Sequence, residues 1–400
     1  MEEEGLICYT NSRFSALSSL MRIGIDARSF GVSKGTGIGR YVQELIKNLE
    51  KLDHKNDYVI FLRKENFNLY QPRSKNFSKV LADVPWYGVK EQVLLPAIFS
   101  SQGLDLIHFP NLNVPLLYSG KFVVTIHDSI LLNLSGRNAS TLPLPVYLIK
   151  KLGLRLSFWK AATKSSAILT PSKFVKDDLS KSFKLNPEKF FVTYESGNLA
   201  GKGRTDEERK IENVLERYKV TPPFFTYIGN LYPHKNISRL LDAIKILNED
   251  LRRDAQLVLV GKHDAFAARL AGEIIRKGVL KYVLMAGYMP DADYADLLKE
   301  SVAYVHPSLS EGFGLGSVEA MSLGVPVVQS NASCLPEICG DAALYFDPYD
   351  PKDMAAKLAK ILGNERLRKQ LSKKGLARAR RFYWEKMAKE TLKVYEKVLR

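Results

Sequence analysis

The chain has 400 residues, 46% of them hydrophobic, and a formal net charge of +16. That length fits two domains of ordinary size, and the composition is that of a globular protein rather than a disordered or fibrous one. No apolar run approaches the ~18–20 residues needed to span a bilayer, and the excess of cations favours an anionic partner: a nucleoside diphosphate, an anionic membrane surface or nucleic acid.

The chain opens Met1-Glu2-Glu3-Glu4, without the positive start and unbroken apolar stretch of a signal peptide. Residues 1–20 read as a disordered extension, and the first clean strand opens at Met21. The cysteines are Cys8, Cys334 and Cys339, with no Cys-x-x-Cys pair. Free thiols in a reducing, cytoplasmic compartment are the expectation.

Strands are predicted at Arg22–Asp26, Tyr58–Leu62, Asp105–Phe109, Phe122–Ile126, Ala167–Thr170 and Phe191–Tyr194. Between the first two, apolar residues at Tyr41, Val42, Leu45, Ile46, Leu49 and Leu52 repeat with helical spacing over Arg40–Leu52. A polar stretch, 198–223, then precedes a second series: Phe224–Ile228, Leu257–Val260, Val283–Ala286, Val302–Val305, Val325–Val328 and Ala343–Phe346. Helical patterns lie at Asn236–Asn248 and near Tyr294–Ser301. Near-continuous apolar strands alternating with helices imply parallel sheets covered on both faces. The chain therefore reads as α/β: two doubly wound, Rossmann-like domains, 21–198 and 199–384, with their strand ends facing across a cleft.

Several segments point at that cleft. Gly35-Thr36-Gly37-Ile38-Gly39-Arg40 is a glycine-rich loop able to approach a phosphate closely, although its spacing is not that of the dinucleotide fingerprint. His127 closes the strand Phe122–Ile126. Lys235 ends Gly229-Asn230-Leu231-Tyr232-Pro233-His234-Lys235 before a helix and can meet a diphosphate as a point charge. Ser310-Glu311-Gly312-Phe313-Gly314-Leu315-Gly316-Ser317-Val318-Glu319 runs from a strand into a helix. Backbone N–H groups and a helix dipole would bind an anion there, and the two glutamates would accept hydrogen bonds from sugar hydroxyls. Asp291-Ala292-Asp293 has the look of a metal-binding pair, but helix capping explains it better, and no metal site is expected. The run Tyr147–Lys160 is basic and rich in Leu, Phe and Trp. It reads either as a helix lying on an anionic membrane or, slightly better, as a core helix with solvated cations.

From Met21 to Arg400 these pieces resemble a retaining glycosyltransferase of family 4, the glycosyl transferases group 1, with the GT-B fold. The resemblance rests on the Gly35–Arg40 loop, Thr125–Asp128, Thr170-Pro171-Ser172-Lys173-Phe174, Gly229–Asn236, Pro307–Glu319, Gly324–Val328, Leu335-Pro336-Glu337 and the closing Phe382-Tyr383-Trp384-Glu385. It implies that helix 385–400 crosses back onto the first domain. It also implies roles: Glu311 at the donor sugar, Glu319 at the ribose hydroxyls, Lys235 at the diphosphate and His127 beside the transferred sugar. Backbone of Phe313, Gly314 and Leu315 would meet sugar or phosphate, and Gly37 and Ile38 the diphosphate, with Gly229 and Asn230 in the same pocket. The family often has an arginine where this chain has Asn230. A mannosyltransferase-like subset shares the pattern Gly-Asn-x-x-Pro-x-Lys-Asn, and Arg239 or Lys262 would be the compensating cation.

The implied reaction moves a hexose, mannose in that subset, from a nucleoside diphosphate sugar (GDP-mannose or a UDP-sugar) to a hydroxyl of a sugar or lipid-linked acceptor. It needs no other cofactor and no metal, and it belongs to glycan, polysaccharide or glycolipid synthesis. The cationic surface would allow peripheral attachment to the inner face of a membrane. Rival readings are a GT-B protein that binds sugar without turnover and a dinucleotide-dependent oxidoreductase. Nucleic-acid binding has charge alone in its favour.

Overall fold

A computed structural model describes residues 20–31, 37–86, 88–130, 144–197, 199 and 213–400. Cys8, Gly35, Thr36 and nearly all of the predicted 1–20 extension lie outside these residues.

The first sheet has seven strands: β1 (Arg22–Asp26), β2 (Asp57–Leu62), β3 (Phe77–Leu81), β4 (Leu106–Phe109), β5 (Phe122–Thr125), β6 (Ala167–Thr170) and β7 (Phe190–Val192). Their order is β3-β2-β1-β4-β5-β6-β7, all parallel. The second has six: β8 (Phe224–Ile228), β9 (Gln256–Val260), β10 (Val283–Gly287), β11 (Ala303–His306), β12 (Val327–Ser330) and β13 (Ala343–Phe346). These run β10-β9-β8-β11-β12-β13, again all parallel. The α/β, GT-B-like plan of two Rossmann-like domains is thus present.

The strands are apolar throughout because both faces are covered. In β2, Tyr58, Ile60 and Leu62 enter one core while Val59 and Phe61 enter the other. In β9, Leu257 and Leu259 divide from Val258 and Val260 in the same way. Strand order reverses direction between β1 and β4 and between β8 and β11, the switch points where α/β sheets open a crevice at their carboxyl ends.

Helix α1 (Gly37–Leu52) covers the first sheet. It starts earlier than its periodicity predicts, so Gly37 to Arg40 form its first turn rather than a loop. The carboxyl-terminal helix Trp384–Leu399 buries Met387, Ala388, Val394 and Tyr395 in the same core as Tyr41 and Leu45 of α1. Its Tyr395 hydroxyl meets His108 Nδ1 at 2.6 Å. β3 has no counterpart in the sequence reading. It is an edge strand, Phe-Ser-Lys-Val-Leu, with only Phe77 fully buried, so it lacks the continuous apolar run of its neighbours. Among the described residues no helix is long and apolar enough to cross a membrane.

Candidate active site

β11 delivers the chain to the carboxyl edge of the second sheet at His306, and the loop that follows places Glu311 beneath a cluster of donors. Glu311 is 8% exposed, and its Oε1 meets Lys235 Nζ at 2.6 Å, Ser308 Oγ at 2.7 Å and His306 Nε2 at 2.8 Å. Its backbone N–H donates to Ser333 Oγ at 3.1 Å. Burial alone would push this carboxyl up. The Lys235 ammonium and the His306 contact outweigh that and hold it well below the usual carboxylate range. His306 is itself oriented from behind: its Nδ1 meets Ser317 Oγ at 2.8 Å, and Ser317 donates to Gln329 Oε1 at 2.8 Å.

Lys235 arrives from another part of the sheet. β8 ends in the Gly229-Asn230 turn, where Tyr227 donates to the Asn230 carbonyl at 2.7 Å, and the short 3-10 turn Pro233–Lys235 follows. Asn236 comes next with φ 60°, buried, its amide donating to Pro307 O at 3.0 Å and Pro348 O at 2.8 Å. The first bond ties the lysine turn to the loop that carries Glu311, and the second ties it to the turn after β13. Arg239, one of the two cations considered as compensation at Asn230, donates to Asn236 Oδ1 at 2.9 Å and stacks over Tyr349, so its charge is directed there.

The chain continues from α1 through helices α2 (Val89–Ser100), α3 (Leu144–Lys164), α4 (Lys173–Ser182), α5 (Val214–Tyr218), α6 (Ile237–Lys245), α7 (Ala265–Lys277) and α8 (Asp291–Glu300) to α9 (Leu315–Ser322). Helix α9 opens after Gly314 at φ 85°, a conformation that favours glycine. Its amino end, which carries the first amides and the positive end of the dipole, follows directly on the Glu311 loop, with no side chain capping it. The Phe313 ring is buried edge-on to Phe382 at 5.5 Å, which leaves its backbone rather than its ring for a ligand. Glu319, buried on α9, accepts a hydrogen bond from Arg40 Nη1 of α1 in the first domain. Arg40 Nη2 donates to Asp291 Oδ2 at 2.6 Å. A Cβ at Gly37 would stand 2.9 Å from Leu315 Cδ1, so the starts of α1 and α9 abut.

His127 forms the opposing wall. Its Nε2 donates to Pro110 O at 2.9 Å and its Nδ1 meets Glu195 Oε1 at 2.8 Å. Burial would push this imidazole down; Glu195 and the Pro110 carbonyl reverse that and hold it above the ordinary value. Asp128 follows, its pKa raised by burial and by the charge of Glu311 against the opposing pull of His127 and Lys235. The domains touch at this wall: Ser172 Oγ donates to Gly312 O at 2.7 Å, and a Cβ at Gly312 would fall 1.8 Å from His127 O. Glu337 completes the join, accepting the amides of Lys173 and Phe174 at the start of α4, both at 2.8 Å, and the Tyr194 hydroxyl at 2.9 Å.

The structure therefore brings Lys235 and Glu311 into contact, and sets Glu319, Phe313, Gly314 and Leu315 on the same loop and helix. Gly37 and Ile38 start the helix that meets them, and Gly229 and Asn230 lead into the lysine turn. Asp291 and Asp293 diverge. Asp291 pairs with Arg40, whereas Asp293 accepts Arg217 Nη1 at 2.9 Å and the Tyr218 hydroxyl at 2.7 Å. Neither caps α8, whose N-cap is Pro290; both sit in its first turn, where the dipole favours them. Among the described residues no group of three His, Cys, Asp or Glu side chains is placed to hold a metal ion. Arg40, His306, Ser308, Asp128, Glu195 and Glu337 were not assigned by sequence. His306 carried a signal, a histidine at a strand end just before Pro307. Glu195 carried none.

Residues 208–378 match the family described as Glycosyl transferases group 1, and residues 35–195 match Glycosyltransferase Family 4. The O-antigen chain mannosyltransferase B of Escherichia coli is 30% identical over 382 residues, spanning 90% of this chain and 96% of that one. The MMP alpha-(1->4)-mannosyltransferase of Mycolicibacterium hassiacum is 35% identical over 173 residues, 42% of this chain and 41% of its own length. Among solved structures, sucrose-phosphate synthase from Thermosynechococcus elongatus superposes with a TM-score of 0.71 at 18% identity, covering 94% of this chain and 98% of that one. HepE of Anabaena, in complex with UDP and glucose, gives a TM-score of 0.70 at 17% identity, covering 94% of this chain and 100% of that one.

Proposed function

The chain belongs to the group 1 glycosyl transferases, within glycosyltransferase family 4, and we propose that it moves mannose from GDP-mannose to an acceptor hydroxyl with retention of anomeric configuration and without a metal ion. The bond between the sugar C1 and the phosphate oxygen breaks, and its electron pair leaves with the diphosphate. The acceptor oxygen bonds to C1 from the same face, and its proton passes to the departing phosphate oxygen. The hard part is the charge gathering on that leaving group. Lys235 and the first amides of α9 supply fixed positive charge there, which needs no reorganisation as the reaction proceeds.

The remaining residues bind and orient. Glu311 holds the Lys235 ammonium and faces the sugar. Glu319 takes the ribose hydroxyls in exchange for Arg40. Gly37, Ile38, Gly229 and Asn230 flank the diphosphate, and His127, fixed by Glu195 and Pro110, stands beside the transferred sugar. Closure of the domains excludes water that would otherwise hydrolyse the donor. Mannose is supported by the relatives named as mannosyltransferases, and a nucleotide-sugar donor by the neighbour described with UDP and glucose. The relative named for the O-antigen chain supports a growing sugar chain as the acceptor.

The observation that carries this reading is the 2.6 Å contact between Lys235 Nζ and Glu311 beside the start of α9. Lys235→Ala should lower kcat for transfer from GDP-mannose by ~10²–10³-fold, the usual effect of removing one charge-stabilising donor. An unchanged rate with every donor that the wild type accepts would remove the lysine's role. Transfer should survive excess chelator. Complete loss restored by Mn²⁺ would make Asp291 and Asp293 the residues to revisit.

A further inference from the structure

Helix α3 covers the first sheet with one face only. Phe158, Ala161 and Ala162 are buried in the core beneath it. On the opposite side Leu148, Ile149, Leu152, Leu156 and Trp159 all face solvent; Ile149 is 72% exposed, Leu152 60% and Trp159 56%. At ~3.6 residues per turn, these positions fall within roughly a 100° arc. They form a second apolar stripe that nothing in the chain covers among the described residues. Single exposed leucines need no explanation, but five in register on one helix face do. The patch continues past the helix. Lys160 bonds to the carbonyls of Leu116 and Tyr118, which holds the 115–118 turn beside α3, and Leu117 on that turn is 65% exposed.

The charges around the stripe identify what fits it. Arg155 borders one side, and Lys150 and Lys164 the other; all three are exposed, and α3 contains no Asp or Glu. An apolar stripe bordered on both sides by cations, with long stems that can lie along lipid, matches a surface whose acyl layer lies under anionic headgroups. A second copy of the chain fits badly, because a two-fold interface sets the same patch against itself and would bring these cations together. We propose that this face of the first domain docks on an anionic lipid bilayer, with Leu152 and Trp159 entering the headgroup boundary. Docking stands apart from the transfer chemistry: Glu311 bonds to Lys235, His306 and Ser308, and Glu319 to Arg40 of α1, and none of these partners lies on the stripe.

The test is co-sedimentation of the full chain with vesicles of phosphatidylcholine containing phosphatidylglycerol, and with phosphatidylcholine alone. Binding should require the anionic lipid and weaken as salt rises. Leu152→Glu combined with Trp159→Glu should lower binding at least ~10-fold, and Trp159→Phe should largely restore it. Lys150→Glu with Arg155→Glu should lower it further than ~10-fold, each cation near such a surface contributing roughly fivefold. Both sites are exposed, so an unchanged melting temperature checks the fold. As a control for diffuse charge, Lys360→Glu, exposed on the second domain, should leave binding within about twofold. Absence of binding to anionic vesicles overturns the proposal. So does equal loss from Lys360→Glu, or binding indifferent to the α3 variants. A concentration-dependent dimer abolished by Leu152→Glu would also overturn it, assigning the face to a second copy.

Discussion

Arg40 of the first domain bonds Glu319 of the second, so the residue proposed for the donor's ribose is held by a cation from across the cleft. The same guanidinium reaches Asp291 at 2.6 Å, and one arginine thus joins α1 to both α8 and α9. If the ribose hydroxyls take Glu319, this link must loosen when the donor enters. A double-mutant cycle with Arg40→Ala and Glu319→Ala, read by thermal stability, should give a coupling of about 1–2 kcal/mol in the free protein. With saturating GDP the coupling should fall. Equal coupling with and without nucleotide would mean that Glu319 is never handed over.

Gly312 sits where a Cβ would overlap His127 O at 1.8 Å, while its own carbonyl accepts from Ser172. Backbone cannot yield as a flexible side chain does, so Gly312→Ala must hold the two walls apart. A shift of about 1 Å in the reacting geometry is enough to lower a rate ~100-fold. Gly312→Ala should therefore lose kcat on that scale while GDP affinity, measured by calorimetry, changes only a few-fold. A proportionate loss of nucleotide affinity would place the defect in the second domain's own fold instead.

The two-sheet plan is legible in the sequence because every central strand is buried on both faces. Runs such as Tyr58–Leu62 and Leu257–Val260 then stay apolar without alternation. β3 escapes because an edge strand exposes Ser78 and Leu81, which breaks that run. Lys235 and Glu311 are legible as motif positions; that one ammonium meets one carboxylate is a product of Asn236 binding Pro307 and Pro348, residues far away in sequence. Arg40 reads as the end of a glycine run, and nothing local tells that its target is Glu319. Glu195 is the extreme case: a lone acid after β7 that acquires meaning only when β5 and β7 bring it to His127.

Glu311 is buried yet kept ionised, because Lys235, His306 and Ser308 converge on one oxygen. Removing one partner of a buried ion pair typically costs about 3–5 kcal/mol. Glu311→Gln should accordingly lower the melting temperature by several degrees at neutral pH. The folded pKa lies below the ordinary 4.5, so this contribution is complete above pH 4.5 and is lost as pH falls through the lowered value. Melting curves of wild type and Glu311→Gln should converge under acid. A gap that persists to the lowest pH reached would mean that the glutamate acts through packing rather than charge.

His127 behaves in the opposite sense. Burial would lower it, but Glu195 and Pro110 raise it above 6.5, so its pairing with Glu195 stabilises the fold fully below pH 6.5 and fades as pH rises through the folded value. Glu195→Gln keeps the side chain's shape and removes the charge. A hydrogen bond to a charged group contributes about 1.5–3 kcal/mol, so the wild type should exceed the variant by about that much near pH 6 and by less near pH 9. His108, pressed down to about 3 by burial and by His127, opposes folding in the same acid window. It is present in both proteins and cancels in the difference to first order. The ring nitrogens offer an independent readout: in nitrogen-15 NMR, His127 should keep protons on both nitrogens to a higher pH in the wild type than in Glu195→Gln. A His127 that titrates alike in both proteins would remove Glu195 from any part in charging this wall of the site.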